Sequence, residues 1–230
     1  MAYASSGLSA LGYSNGFTLW QYRSTDTLNT IMAAGYFNSA ANMLRVGDEI
    51  MIEGSNALWR DRVWRTDAST VQIGVDPSVT DPAGPEGHRL GEILERWDNT
   101  VWEYFQAAGT IAASDVVIAH DDHSATAITT TLAAAGTGQG KRCAVAHHSP
   151  SESITFGKYF WGCVFAPAHV QQKVNVLIGC VKYTNLNTTA TPGKLDDAPT
   201  TLVRGIALVA TEPGVGTAAI GAVINSPYVA

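Results

Sequence analysis

Charge is what this chain has least of. Only 15% of its 230 residues are Asp, Glu, Lys or Arg, against about 25% in an average soluble domain, and the shortage is one-sided. Residues 1–123 hold 16 acidic and 7 basic side chains, whereas residues 124–230 hold 4 and 7. A water-facing surface is ordinarily dressed in such residues. A half-chain this poor in them implies surface that an oligomer or a large partner covers, the plainer alternative being a Thr, Ser, Asn and Gly surface that needs no partner. The net charge of −6 and pI near 5.4 exclude a protein whose main task is to neutralise phosphate, since that takes a surplus of Lys and Arg. No nucleic acid partner is expected, and the acidic N-terminal half points to solvent or to a basic partner.

Cysteine is scarce as well. Cys143, Cys163 and Cys180 are odd in number, lie far apart and make no C-x-x-C pair, so the expectation is three buried thiols in a chain folded in a reducing cytoplasm, without a disulfide framework or a zinc knuckle. No apolar run reaches the length of about eighteen residues that a membrane helix needs. The opening MAYASSGLSALGYSNG has neither a basic start nor a continuous apolar stretch, so neither a signal peptide nor a membrane partner is expected. Against these shortages stands a hydrophobic content of 46%, ample for a packed core in one large domain or two small ones, which rules out wholesale disorder.

Periodicity predicts a mainly β chain with a few short helices. Residues 17–23 (FTLWQYR) alternate as a half-buried strand. Ser24 or Asp26 can then cap a short helix over 28–34, with a second helical turn reaching Met43. The run 43–53 (MLRVGDEIMIE), broken by a Gly47-Asp48 turn or bulge, and two further strands over 57–66 and 70–75 complete a small barrel-like β module. Residues 76–87 (DPSVTDPAGPEG) read as a linker. The division expected is a flexible N-terminal arm at 1–15, the module at 16–75, the linker, and a β-rich domain at 88–230. In that last part, 89–106 reads as an amphipathic helix, although the β-formers from Thr100 to Phe105 allow a strand. Apolar runs at 116–119, 144–146, 159–165, 174–183, 202–209 and 218–224 argue for an antiparallel β sandwich or barrel. Residues 125–135 stay ambiguous between helix and strand.

The chemical motifs are weak. Gly12-Tyr13-Ser14-Asn15-Gly16 matches the G-x-S-x-G nucleophile elbow, but no core strand precedes it and no helix follows. The glycine run at 136–142 lacks the glycine spacing of a phosphate loop and the hydroxyl after its lysine, and it leads into the strand-like CAVAHH rather than a helix. His120, Asp122, His123 and His147 are the weak candidates for metal ligands, if two distant clusters were to meet; neither a metal nor a cofactor is expected. Asn187-Thr188-Thr189 satisfies the glycosylation triplet but is expected to be inert without a secretory route. No Ser/His, Cys/His or paired-carboxylate arrangement stands out, so no catalytic residue is assigned.

Two longer stretches carry a resemblance. Gly16-Phe17-Thr18-Leu19-Trp20-Gln21-Tyr22-Arg23-Ser24-Thr25-Asp26, continuing through Ala33-Ala34-Gly35-Tyr36-Phe37-Asn38 to Leu44-Arg45-Val46-Gly47-Asp48, resembles the opening module of virion structural proteins of tailed bacteriophages and prophages. Residues 140–165, GKRCAVAHHSPSESITFGKYFWGCVF, are similar to segments of phage head decoration proteins, from which His147-His148 and Pro150 depart. The resemblance implies a capsid decoration or cement protein, a homotrimer that clamps the major capsid protein, located in the virion after folding in the host cytoplasm. It implies no enzyme. On that reading Trp20, Tyr22, Tyr36, Phe37, Tyr159 and Trp161 are the interface candidates, and the arm at 1–15 orders on a neighbour. A tail, fibre or head-spike component meeting the host surface is the alternative, and a metal-dependent hydrolase using the histidines is a third reading from another class.

Overall fold

Asn15 and Gly16 both take left-handed backbone angles, φ 46° and 86°, in the computed structural model. A two-residue hairpin turn demands such angles, and Asn-Gly adopts them at least cost. The turn joins β1 (Leu8–Ser14) to β2 (Phe17–Arg23), with Ser14 opposite Phe17 and a bulge between Ala10 and Gly12. The expected flexible arm is therefore corrected. Its described part is a short 3-10 turn, Ser5–Gly7, followed by a strand, and Gly12-Tyr13-Ser14 is hairpin rather than nucleophile elbow. The structure describes residues 3–33, 35–66, 69–74, 88–134, 138–148, 153–214 and 219–230. By its internal contacts the chain divides into two units, Met1–Asp76 and Pro77–Ala230; the expected linker at 76–87 lies outside the described residues.

In the first unit β2 runs parallel to β3 (Glu49–Glu53), and a parallel pair needs a long crossover. Residues 24–48 supply it, holding α1 (Leu28–Ile31) and a 3-10 turn at Asn38–Ala40. The cap of α1 is Thr27, whose hydroxyl accepts from the Thr30 amide at 3.4 Å, not Ser24 or Asp26. β4 (Leu58–Thr66) and β5 (Val71–Ile73) complete a barrel-like module in the order β1-β2-β3-β4-β5. Its core gathers Tyr22, Leu28, Ile31, Phe37, Leu44, Ile50, Ile52 and Val63; in β3 the alternation of Ile50 and Ile52 with exposed Met51 is the pattern of a strand buried on one face.

The second unit contains β6 (Ile93–Glu95), β7 (Val101–Ala107), β8 (Val116–Ala119), β9 (Ser124–Ala127), β10 (Cys143–His147), β11 (Tyr159–Ala166), β12 (Gln172–Asn175), β13 (Leu186–Thr188), β14 (Leu195–Asp196), β15 (Leu202–Leu208) and β16 (Ala219–Val229). The helix expected over 89–106 does not form. Asn99, at φ 62°, turns the chain between β6 and β7, with the Arg96 amide donating to the Thr100 carbonyl at 3.0 Å. β7 is buried on both faces, so apolar side chains fall on both of them, and with the apolar residues before Asn99 they mimic a helical stripe.

β7 pairs with β11, β11 with β10, β10 with β8, β8 with β9, and β9 with β7. Those pairings close a five-stranded barrel. Phe105, Ala107, Val117, Ala119, Ala125, Ala144, Ala146 and Phe160 form one buried cluster with Ile111 and Ile154. Five strands enclose a narrow bore, which is why five of the ten residues are alanine and only two are phenylalanine. Past a bulge between Cys163 and Phe165, β11 leaves the barrel and pairs with β16. β16 is flanked by β15 and β12, and β13 and β14 extend beyond β15, which makes the sandwich-like second layer. The apolar run at 174–183 is strand only to Asn175; Ile178, Val181 and Tyr183 are exposed in turns.

Candidate functional site

Of the six aromatic interface candidates, the structure puts Tyr22, Phe37 and Trp161 inside the chain's own core and leaves Trp20, Tyr36 and Tyr159 partly exposed. Tyr22 meets Phe37 with ring centroids 4.9 Å apart, and Tyr3 stacks on Tyr22 at 5.6 Å. A polar chain runs beside them: Tyr22 and Tyr36 hydroxyls are 2.9 Å apart, and Tyr36 donates to Asp26 at 2.9 Å. Burial pushes the Tyr36 hydroxyl well above its ordinary pKa. Trp20 is held by its indole N–H, which donates to Asp48 at 2.9 Å. The same buried carboxylate accepts from the Thr18 and Arg45 amides at 2.9 and 3.0 Å. The Gly47-Asp48 pair is thus a structural knot, and the aromatic motif that carries the family resemblance is largely the module's core.

The surface of this module lies elsewhere, on the β1–β2 hairpin. β1 is exposed along almost its whole length on both faces, with Leu11 51% and Tyr13 68% exposed, and Phe17 at the start of β2 is 39% exposed. It is the outermost strand, so one row of its backbone N–H and C=O groups has no ladder partner among the described residues. Leu8–Ser14 contains no charge and no proline, the devices by which proteins usually blunt such an edge. Sequence reasoning missed this strand because a strand exposed on both faces has no alternation; the Asn-Gly pair was the signal that could have found it.

In the second unit Tyr159 and Trp161 belong to an aromatic group with Tyr104, at 5.8 and 4.9 Å, and His88 packs on Trp161 at 5.0 Å. The histidine clusters do not meet. Val116 stands opposite Val145 in the β8–β10 ladder, which sets His120 beyond one end and His147 at the other, about 20 Å apart at about 3.3 Å per residue. His120 pairs with the Thr126 hydroxyl at 3.0 Å, Asp122 accepts from the Ser124 amide at 2.9 Å, and the His147 ring packs on Trp102 at 5.0 Å. His123 sits 3.0 Å from Glu103. The weak metal candidates His120, Asp122, His123 and His147 are corrected accordingly: they do not converge on one ion.

Glu103 is the notable partner. It is 1% exposed, and Arg142 grips it with two bonds of 2.5 and 3.0 Å. The three residues flank the starts of β7, β9 and β10, at one end of the barrel. Glu103 and Arg142 line a recess of about 370 Å³ together with Ile93, Cys143, Val164, Ser226, Pro227 and Tyr228. With its carboxylate neutralised, this recess suits an apolar side chain better than an ion.

One group of three possible metal ligands converges among the described residues: Cys180, Asp196 and Asp197, with donor atoms within 4.8 Å of one another. Cys143 and Cys163 are buried apart from it, their thiols pushed far up by desolvation. Asn187, Thr188 and Thr189 are buried around β13, so the folded chain withholds that triplet from any glycosylating enzyme. No protein-family model, curated protein or solved structure matches the chain.

Proposed function

We propose that the chain is a virion structural protein of a tailed bacteriophage, a capsid decoration or cement protein that binds the head shell through protein–protein contacts, as a homotrimer and without catalysis. The observation that carries this reading is the β1–β2 hairpin: an uncharged edge strand, exposed on both faces, presents Leu11 and Tyr13 to solvent, and Phe17 at the start of β2 is exposed beside them. A strand of seven residues offers a partner about three or four residues' worth of ladder bonds on its free edge, and the exposed aromatics supply the desolvated anchors that dominate an interface. The resemblance of residues 16–48 and 140–165 to phage virion proteins supplies the class of partner, the major capsid protein. The charge-poor residues 124–230 agree with a chain that spends its working life in an assembly.

The test joins native mass by light scattering with co-sedimentation on shells of the major capsid protein. The expected result is a three-chain mass and saturable binding to shells, with Leu11→Lys and Tyr13→Lys losing one or both while the melting temperature stays within a degree or so, because both sites are already in water. A monomer that ignores the shells, and that the two substitutions leave unchanged, overturns the proposal.

A further inference from the structure

The recess at Glu103 and Arg142 has a rim fixed by backbone. The β15–β16 ladder is broken between Arg204 and Ile206, where the single residue Gly205 stands against residues 225–227. A Cβ on Gly205 would collide with the Asn225 carbonyl, and Ser226 takes a left-handed φ of 45°. Such a bulge bends its strand. Past it, Tyr228 is held by a bridge to Arg142, with the Val229 amide donating to the Lys141 carbonyl at 3.0 Å and the Gly140 amide to the Val229 carbonyl at 2.8 Å. Pro227 and Tyr228 line the recess together with Ile93 and Val164.

The charges of this recess cancel. Glu103 is buried and spent on Arg142 and His123. Arg142 uses two of its five N–H donors on that carboxylate, and the other three make no hydrogen bond among the described residues. A hollow of about 370 Å³ lies at the small end of binding sites. The group that suits it is apolar in body, uncharged, and carries an acceptor oxygen for the spare Arg142 donors. Tyrosine has all three properties, and its ring can also lie against a guanidinium.

The first unit carries such a side chain on its surface. Tyr13 lies within residues 1–22, which contain no Asp, Glu, Lys, Arg or His. Among the described residues the large apolar side chains at least as exposed are Leu58, Phe156 and Tyr183. Each of those stands within two residues of a Lys or Arg, which would bring a second positive charge toward Arg142. The backbone of Tyr13 is open as well. Tyr13 stands opposite Thr18, whose amide donates to Asp48 instead, so the pair is of the unbonded kind and the Tyr13 N–H and C=O face the free edge of β1. Phe17 pairs with Ser14 and so lies on the other face of the hairpin, where it can still meet the shell.

We infer that Tyr13 of one copy seats in the recess of a second copy, and that this contact builds the homotrimer. The inference rests on the homotrimer reading above. Hairpin and recess are different patches, one in each unit of the chain, so the contact runs head to tail. Each chain gives one hairpin and receives another, and three such contacts close a ring.

The experiment uses the full chain with Tyr13→Ser and Ile93→Lys, both at exposed positions, and circular dichroism to check that each variant is folded. Native mass is read by light scattering over a series of concentrations. The expected result is a three-chain mass for wild type and self-association weaker by roughly tenfold or more in each variant alone. An equimolar mixture of the two variants should form two-chain complexes where neither variant associates by itself. The intact hairpin of the Ile93→Lys chain still meets the intact recess of the Tyr13→Ser chain. A mixture that associates no better than its components overturns the inference, as does either variant keeping the wild-type mass. Co-sedimentation with shells separates the two readings. A wild-type trimer that binds shells, with both variants still trimeric, refutes the Tyr13 contact and leaves the capsid reading standing, whereas a wild-type monomer that ignores shells refutes both.

Discussion

Gly162 sits in β11 with the barrel core packed against it. A Cβ added there would lie 2.8 and 3.0 Å from two ring carbons of Phe105 and 2.9 Å from the Ala144 methyl. Both neighbours face the barrel interior, so neither can swing into water. Overpacking of this kind costs about 1–3 kcal/mol. The loss of glycine's freedom in the unfolded chain returns about 0.5–1 kcal/mol, leaving Gly162→Ala destabilised by about 1–2 kcal/mol. For a unit of this size that is a fall in melting temperature of about 2–8 °C, read by calorimetry and checked by urea unfolding. The clash is with Phe105 first, so Gly162→Ala combined with Phe105→Leu should be less destabilised than the sum of the two single changes, by more than about 0.5 kcal/mol. A Gly162→Ala chain as stable as wild type, or single effects that simply add, would refute the closed barrel and the packing drawn from it.

Other substitutions probe the remaining contacts. Asp48→Ala strips acceptors from the Thr18 and Arg45 amides and the Trp20 indole and should cost about 2–4 kcal/mol, measured by chemical unfolding followed through tryptophan fluorescence. Arg142→Ala leaves Glu103 buried with His123 alone. Because the Arg142 side chain is 57% exposed, the loss should be nearer 2 kcal/mol than the 3–5 kcal/mol of a fully buried pair, as roughly expected from both limits, and Glu103→Gln in the same chain should recover part of it in urea. The Tyr36 hydroxyl is raised above 10.0 chiefly by burial. Its contribution to stability is therefore full below the unfolded value and drains away as pH climbs toward the raised folded value. Tyr36→Phe should be weaker at neutral pH by about 1 kcal/mol yet lose less on the alkaline side, seen in melting temperature against pH. Cys143, held up to about 12 by burial, should resist iodoacetamide in the native chain at neutral pH and react on unfolding; rapid native labelling, mapped by mass spectrometry, would contradict its placement in β10.

Much of the β architecture was legible without coordinates. Residues 17–23 read as β2 because one face is wetter than the other, and 116–119, 144–146 and 159–165 read as strands because burial on both faces leaves short apolar runs between turns. The same double burial misled at 89–106, where the spacing of Leu90, Ile93, Leu94, Trp97, Val101, Tyr104 and Phe105 fits a helical stripe although residues 101–107 form β7. The hairpin failed in the opposite sense. β1 is exposed on both sides, so it has no hydrophobic pattern at all, and only Asn15-Gly16 betrays it.

What the amino-acid order determined alone was local: the mainly β class, the Gly47-Asp48 turn, and the break into an acidic first half and a charge-poor second. What only the tertiary structure decided was convergence. Strand pairing closes β7, β8, β9, β10 and β11 into one barrel, carries His120 and His147 to opposite ends of a ladder, buries Tyr22, Phe37 and Trp161 in the chain's own core, and draws Cys180 to Asp196 and Asp197. Periodicity reports how each residue divides its neighbours between water and core. It carries no information about which of several apolar strands will lie side by side, because that choice is made by the register and volume of side chains that meet only when the sheet closes.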